Sequence, residues 1–487
     1  VSFTASLGDV VRENFNGLLS CPPHWPRVAL GELAIVKNGV PLPSSGFNAE
    51  KGTPVVRIRN VLEGRTDTFF DGQTEDSWFV APGDLLVGMD GDFNASRWRG
   101  PRAVLNQRVC MIAPRDNRVS VQYLAYVLPG YLAAINKHTP SITVKHLSSR
   151  TIAEIPLPVP PAKEQAALLA TIDAHFSRLD AAIVSLTRAK DNVKRARASV
   201  LKAAVEGRLV PTEAALARAE GRDYEPASAL LARILTERRA RWAENGSKGK
   251  YKEPIIPDPA ELSQLPQGWA WATVSQLGDV ETGTTPPTQE LANYAETGLP
   301  FLKPTDLDQG ANVNTARQFL SATGAAVSRQ LPPLSVLVTC IGATIGKTGL
   351  ARVECATNQQ INAFVPSQFI RESRYGFCFF ESPMGQQAVI GNASATTLPI
   401  LNKSRFSTIP VPLPPLAEQH RIVAEVDRRL SVLDALNATI DANLTRCAKL
   451  RQSILKRAFE GRLVKPAAPT KTKAAPQIPL FTEEAAP

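Results

Sequence analysis

Three groups of residues in this 487-residue chain have side-chain types and spacings that could do chemistry on a nucleotide or a nucleic acid. The first is GATIGKTG at 342–349, where glycines precede Lys347 and Thr348 after the apolar run VLVTC. A phosphate-cradling loop needs four residues between its first glycine and Gly-Lys, and only three separate Gly342 from Gly346. A tight glycine turn between two strands is the expectation, from which Lys347 and Thr348 could still touch a phosphate. The second is Asp90-Gly91-Asp92, a carboxylate pair of the kind a magnesium-dependent nuclease requires. The matching stretch TCIGATIG (339–346) carries no acid, so the Asp-Gly-Asp is expected to be a turn. The third group is a set of hydrogen-bonding side chains in two halves of the chain. One half holds Arg57, Arg59, Arg97, Trp98, Arg99, Arg102, Asn106, Gln107 and Arg108. The other holds Thr284, Thr285, Lys303, Thr305, Lys347, Thr348, Asn358, Gln359 and Gln360. Arg reads guanine and Asn or Gln read adenine through paired hydrogen bonds, while Lys and Arg neutralise phosphates. Asn106-Gln107 and Asn358-Gln359 recur in both halves, which points to a shared structural or backbone-binding role. No HExxH, GxSxG, methyltransferase Asn-Pro-Pro-Tyr or strand-borne GxGxxG pattern is found, so no catalytic centre is expected.

Composition sets the frame for these residues. The chain is 44% hydrophobic and 21% charged, enough to bury real cores, and its formal net charge of +10 favours an anionic partner. No apolar run approaches the ~18 residues of a membrane span, and the first residues lack a signal-peptide pattern. The six cysteines are scattered without a CxxC pair or a histidine cluster. That argues against a metal site and a disulfide framework, and for reduced thiols in the cytoplasm.

The elements that must position the candidates are duplicated. Residues 155–210 and 409–464 align without a gap and share 23 of 56 positions, from IPLPVPPAKEQ and IPVPLPPLAEQ to a common EGRLV. Apolar residues at alternating three and four spacing run through both copies, from Leu169, Ile172 and Phe176 to Ala204, and from Val423, Val426 and Leu430 to Ala458. This is a heptad pattern, and each helix of some 43 residues would be about 65 Å long. The natural partner of each helix is the other, packed antiparallel. The globular halves also correspond: Trp25, Leu33 and Gly39 match Trp269, Leu277 and Gly283, and Pro54, Leu86-Val87 and Pro114 match Pro300, Leu337-Val338 and Pro366. Short apolar runs bounded by turn residues give strands, followed by a helix such as 121–128. The fold class is therefore α/β, with two mixed α/β domains joined by two long antiparallel coiled-coil helices in internal pseudo-twofold symmetry. The expected organisation is an N-terminal helix (1–20), domain one (21–160), a central helix (161–210), a basic helix and linker (211–265), domain two (266–414), a C-terminal helix (415–465) and a disordered tail (466–487). FNGLLS (15–20) echoes VEGRLV and FEGRLV as a partial third copy of the helix end.

Two copies of PLPxPPxxEQ leading into a long helix that closes on EGRLV, each after a domain that opens near a Trp, resemble the specificity subunits of type I restriction–modification systems. GATIGK, TNQQINAF and LPQGW are phrases typical of that family's target recognition domains, and the resemblance covers residues 21–464. In the first half, VGMDGDFNAS (87–96) and Val40-Pro41-Leu42-Pro43 depart from it. The resemblance implies a non-catalytic chain that reads a bipartite, asymmetric double-stranded DNA target, one half-site per domain. The helices act as a ruler for the gap. It also implies docking of two modification subunits, which hold AdoMet and methylate adenine, and of two restriction subunits using ATP and Mg, with no cofactor on this chain. The repeated Glu164, Gln165, Glu206, Gly207, Arg208, Glu418, Gln419, Glu460, Gly461 and Arg462 are the candidate partner-binding residues. Alternatives are the specificity chain of another restriction–methylation type, an enzyme acting on DNA alone, and a coiled-coil scaffold with no DNA specificity. In the tail, Gln477-Ile-Pro-Leu-Phe481 resembles the peptide bound by the bacterial sliding clamp.

Overall fold

The computed structural model describes residues 6–140, 145–244, 250–258, 260, 262–394 and 398–464. The tail 466–487, with its Gln477–Phe481 segment, lies outside them. The chain forms two compact units, residues 1–186 with 442–487 and residues 187–441.

In the first unit, Val109–Pro114 lies between Ala34–Asn38 and Leu85–Gly88, and Asn94–Arg97 completes an antiparallel four-stranded sheet. Both faces of the two central strands are covered, which is why Leu85–Gly88 and Val109–Pro114 are near-continuous apolar runs rather than alternating ones. Leu85, Val87, Cys110 and Ile112 face a core shared with the helix Val121–Lys137. Leu86 and Val109 face the other way, onto Val56, Val61, Trp98 and Leu105. A second, five-stranded sheet runs Phe47–Asn48, Phe69–Phe70, Thr53–Val56, Ala103–Leu105, Phe79–Val80, with one parallel pairing between Thr53–Val56 and Ala103–Leu105. The proline-rich stretch supplies a short strand, Pro156–Pro158, paired with Arg27–Ala29.

The second unit repeats this topology strand for strand. Its four-stranded sheet is ordered Gly278–Thr282, Ile361–Pro366, Val336–Thr339, Thr348–Leu350. Its five-stranded sheet is ordered Tyr294–Ala295, Phe319–Leu320, Leu299–Leu302, Cys355–Thr357, Gln330–Leu331. Ala270–Thr273 pairs with Pro410–Leu413. The helix following the sheet differs: Val121–Lys137 runs through Pro129, whereas its counterpart breaks into Tyr375–Glu381 and Pro383–Gly391 at Ser382, which caps the second piece.

The two repeats are 44-residue helices, Ala162–Val205 and Leu416–Phe459, and each contributes one portion to either unit. They pair antiparallel. In the second unit Lys190 meets Asp441 at 2.7 Å and Arg197 meets Asp434 at 2.6 Å, one heptad forward on one helix and one heptad back on the other. In the first unit Arg451 pairs with Asp180 at 3.2 Å and lies over the Phe176 ring. Each unit thus holds a sheet domain, the beginning of the helix that follows it and the end of the other helix.

Two local expectations need correction. Among the described residues the N-terminal helix is Leu7–Glu13 and does not reach residue 20, because Asn14 takes the left-handed conformation (φ 43°) and ends it; Phe15 beyond it is exposed. Among the described residues of 211–265 there are two α-helices, Glu213–Glu220 and Ala227–Glu244, where one is expected. The basic one is anchored, with Leu230 and Ile234 in the core and Arg238 and Arg241 both paired to Asp279. All six cysteines are free thiols, and burial pushes those of Cys110, Cys340, Cys355 and Cys378 up to about 12.

Candidate nucleic-acid interface

Two turns organise the candidate residues in each domain. The first follows Ala103–Leu105 and Cys355–Thr357. The Val109 amide donates to the Asn106 carbonyl and the Arg108 amide to Asn106 Oδ1; the Ile361 amide donates to the Asn358 carbonyl and the Gln360 amide to Asn358 Oδ1. Gly39 and Gly283 run against these turns so closely that a Cβ would fall 2.2 Å from the Asn106 carbonyl oxygen and 2.1 Å from that of Asn358. The recurring Asn therefore builds the turn, and Asn358 is buried there. Gln107 and Gln359 are the exposed members, with Gln359 accepting from the Thr285 hydroxyl.

The second turn is the hairpin between one edge strand of the four-stranded sheet and its inner neighbour. GATIGKTG is indeed a glycine turn, with Gly342 and Gly346 at positive φ (94° and 88°). The first domain has the same device at the matching hairpin, where Gly91 has φ 70°, so Asp90-Gly91-Asp92 forms the turn expected of it.

The remaining candidates divide by what they touch. Arg57 is exposed and reaches over Phe47, and Arg97 bonds the Gly83 carbonyl. Arg99 donates to the Leu62 carbonyl at 3.1 Å. Arg59 pairs with Asp67 and Arg102 with Asp76, both on open surface, and Arg102 stacks 3.6 Å over Phe79. Lys303 and Thr305 are exposed, and Thr284 accepts from the Arg329 amide. Lys347 is held by Asp308 at 2.6 Å. Two candidates are not surface groups. Thr348 is 3% exposed and its hydroxyl donates to the Gly346 carbonyl, in a strand buried along its whole length. Trp98 is 1% exposed with its indole N–H on the Pro101 carbonyl, so it is core.

Most of the repeated residues proposed for partner binding are also turned inward: the Glu–Gln pairs fasten the start of each helix to the domain before it, and the glycines seat its end against the other domain. Glu164 accepts from Trp25 Nε1 at 2.9 Å and Glu418 from Trp269 Nε1 at 2.9 Å. Gln165 bridges the Ser120 amide and the Arg118 carbonyl; Gln419 bridges the Ser373 hydroxyl and the Pro414 carbonyl. Gly207 and Gly461, at φ 69° and 70°, lie against Pro266 and Pro22, where a Cβ would come within 2.5 Å of the ring. Gln165, Glu418 and Gln419 are buried, so a partner cannot reach them. Of this set, Arg208 and Arg462 are exposed, each near the acid two residues before it, Glu206 and Glu460.

Sequence reasoning also missed a cluster: Asp90 Oδ1 lies 2.5 Å from His146 Nδ1, and Asp90 Oδ2 lies 3.2 Å from Arg108 Nη1. Asp90 and His146 are 56 residues apart and no local pattern links them.

Two sheet domains of one topology, each clamped to a long helix by the same Trp–Glu bond, define a duplicated helix-linked recognition fold. A family model for the type I restriction modification DNA specificity domain matches residues 22–188 and again 266–446. The chain belongs to that family. It is 31% identical over 95% of its length to the EcoBI type I restriction enzyme specificity subunit of Escherichia coli, covering 91% of that protein. It is 25% identical over 91% of its length to the EcoDI specificity subunit of the same organism, covering 89% of it. A chain in a solved structure of a type I restriction–modification system shares the fold, with a TM-score of 0.56 at 21% identity over 91% of this chain and 99% of that one. This chain is accordingly a type I specificity subunit with two DNA-recognition domains. Among the described residues no helix is long and apolar enough to cross a membrane.

Proposed function

We propose that the chain reads a two-part, asymmetric DNA target, one half-site per domain, and carries two modification subunits and two restriction subunits. The observation that supports this is one backbone used twice with different candidate side chains around the same turns: mostly arginines in the first domain, Thr, Lys, Asn and Gln in the second. Equal side chains would read equal half-sites and make a palindrome; unequal ones make the target asymmetric. In this reading the spacer is a property of the 44-residue helices, and two near-identical helix repeats offer equivalent docking for two copies of one partner. The methyl donor AdoMet belongs to the modification subunits, and ATP and Mg to the restriction subunits. This chain supplies recognition and position and acts in the cytoplasm.

The test is a map of methylated adenines in DNA from cells expressing the chain with its modification subunit, compared with cells lacking it. The expected result is a single two-part motif with unlike halves that appears only with the chain. No new motif, beside a modification subunit shown to work with another specificity chain, overturns the reading.

A further inference from the structure

At three places the domains set opposite chemistry on matching backbone. Each hairpin turn is tied to the segment that leads to the last strand of its domain. Leu147 N donates to the Met89 carbonyl at 2.7 Å and Gly91 N to the Lys145 carbonyl at 2.9 Å; Leu401 N donates to the Cys340 carbonyl at 2.8 Å and Gly342 N to the Pro399 carbonyl at 3.1 Å. The bridges these bonds make are Asp90 with His146 and Ile341 with Ile400. Arg108 and Gln360 form the third pair, each two residues beyond the turn Asn and each giving its amide to that Asn side chain at 3.3 Å. One domain thus presents Asp, His and Arg where the other presents Ile, Ile and Gln.

We propose that Arg108 reads a guanine in the half-site of the first domain, with Asp90 as the residue that positions it. This rests on the two-half-site reading above. Arg is suited to the task because its fork matches guanine O6 and N7. Holding the guanidinium in place beforehand removes part of the ordering cost of a long side chain on binding. The pairing also speaks against a phosphate contact: with a carboxylate 3.2 Å away, Arg108 brings little net positive charge to a phosphate, and the carboxylate would repel it. Burial separates this pair from the other arginine–aspartate pairs of the domain. The Asp90 side chain is only 14% exposed, whereas Asp116, Asp67 and Asp76 are 42%, 75% and 96% exposed and make ordinary surface pairs. Arg108 itself is 51% exposed, so its remaining N–H donors stay open to a ligand. Gln360 has no such fork, and its Oε1 already accepts from Asn358 Nδ2 at 2.9 Å, so the second domain reads a different base at this position.

The experiment maps methylated adenines in cells carrying the full chain with its modification subunit, for the unmodified chain and for Arg108→Lys, Arg108→Gln and Asp90→Asn. Both Arg108 variants are expected to relax one guanine of one half-site by roughly ten- to a hundred-fold in preference, the scale of a bidentate base contact. Asp90→Asn gives a smaller relaxation at that same base, and the other half-site and the spacer stay unchanged. A motif unchanged in both Arg108 variants overturns the assignment. So does full retention by Arg108→Lys, or uniform weakening at both half-sites, since those mark a phosphate contact or a structural role. If the unmodified chain itself directs no two-part motif, the broader reading fails first, a result distinct from the loss of one base.

Discussion

The two junctions between domain and helix share their hydrogen bonds but not their surroundings. Both use a Trp indole on a Glu, a Gln bridging a Ser and a backbone carbonyl, and a Tyr hydroxyl on a proline carbonyl (Tyr123 on Pro158, Tyr375 on Pro412). In the second unit the helix Glu213–Glu220 closes over the junction: the Glu213 amide donates to Glu418 at 2.8 Å, and Glu418 is 0% exposed. The Glu213 carboxyl, which burial raises, is brought below its ordinary value by Arg222 and Arg421. In the first unit Glu164 keeps about a third of its side chain in solvent and has His24 as a second partner. Duplication therefore preserved the hydrogen-bond pattern of the latch while its dielectric environment diverged.

The largest expected difference between the junctions comes from removing their carboxylates. Glu418→Ala leaves the Trp269 indole and the Glu213 amide without an acceptor in a dry site and is expected to cost about 2–4 kcal/mol. Glu164→Ala, in the wetter site, is expected to cost about 1 kcal/mol. Denaturant unfolding followed by hydrogen exchange in each unit checks this; equal losses would break the contrast. Next, Gly207→Ala and Gly461→Ala each force a Cβ into a left-handed position against a proline ring. Each should cost about 1–2 kcal/mol or more, and by a similar amount in the two units, since this part of the latch is alike. Thermal melts of the two variants measure it.

The pH dependences should be opposite in sign. Burial raises Glu418 above its ordinary 4.5 despite its hydrogen bonds, so its stabilising contribution is complete below 4.5 and is lost as pH rises through the raised value. Glu164 is lowered by the Trp25 and then the His24 hydrogen bonds, so its contribution is complete above 4.5 and is lost as pH falls through the lowered value. Carboxyl carbon chemical shifts of the two glutamates, followed through a pH titration, should move at midpoints on either side of 4.5. The smallest effect is expected on the helices: the exposed Arg197–Asp434 pair is worth under about 1 kcal/mol, measured by a double-mutant cycle.

Periodic features were the legible ones. The heptads of both helices, the strands built on VLVTC and DLLVGM, and the glycine turn at 342–346 follow from local pattern, because burial on one stripe or on both sheet faces leaves its period in the chain. Repetition was a weaker guide to roles. Glu164-Gln165 and Glu418-Gln419 were assigned to partners because they recur, yet a repeated fold also repeats its internal fastenings, and the Trp–Glu bond spans 139 and 149 residues of sequence in the two units. Thr348 and Trp98 sit beside surface residues in sequence, but Thr348 lies on a strand buried along its whole length and Trp98 folds back onto the Pro101 carbonyl just after its strand, so both are inside. The Asp90–His146–Arg108 cluster left no sequence trace, since hydrogen bonds between distant backbone segments assemble it.

The central claim is that the two domains read DNA independently on a shared scaffold. Exchange of residues 266–408 for the corresponding segment of another family member, followed by mapping of methylated adenines, tests it most directly. One half-site is expected to change while the other half-site and the spacer are retained. A change in both half-sites, or in neither, would contradict it.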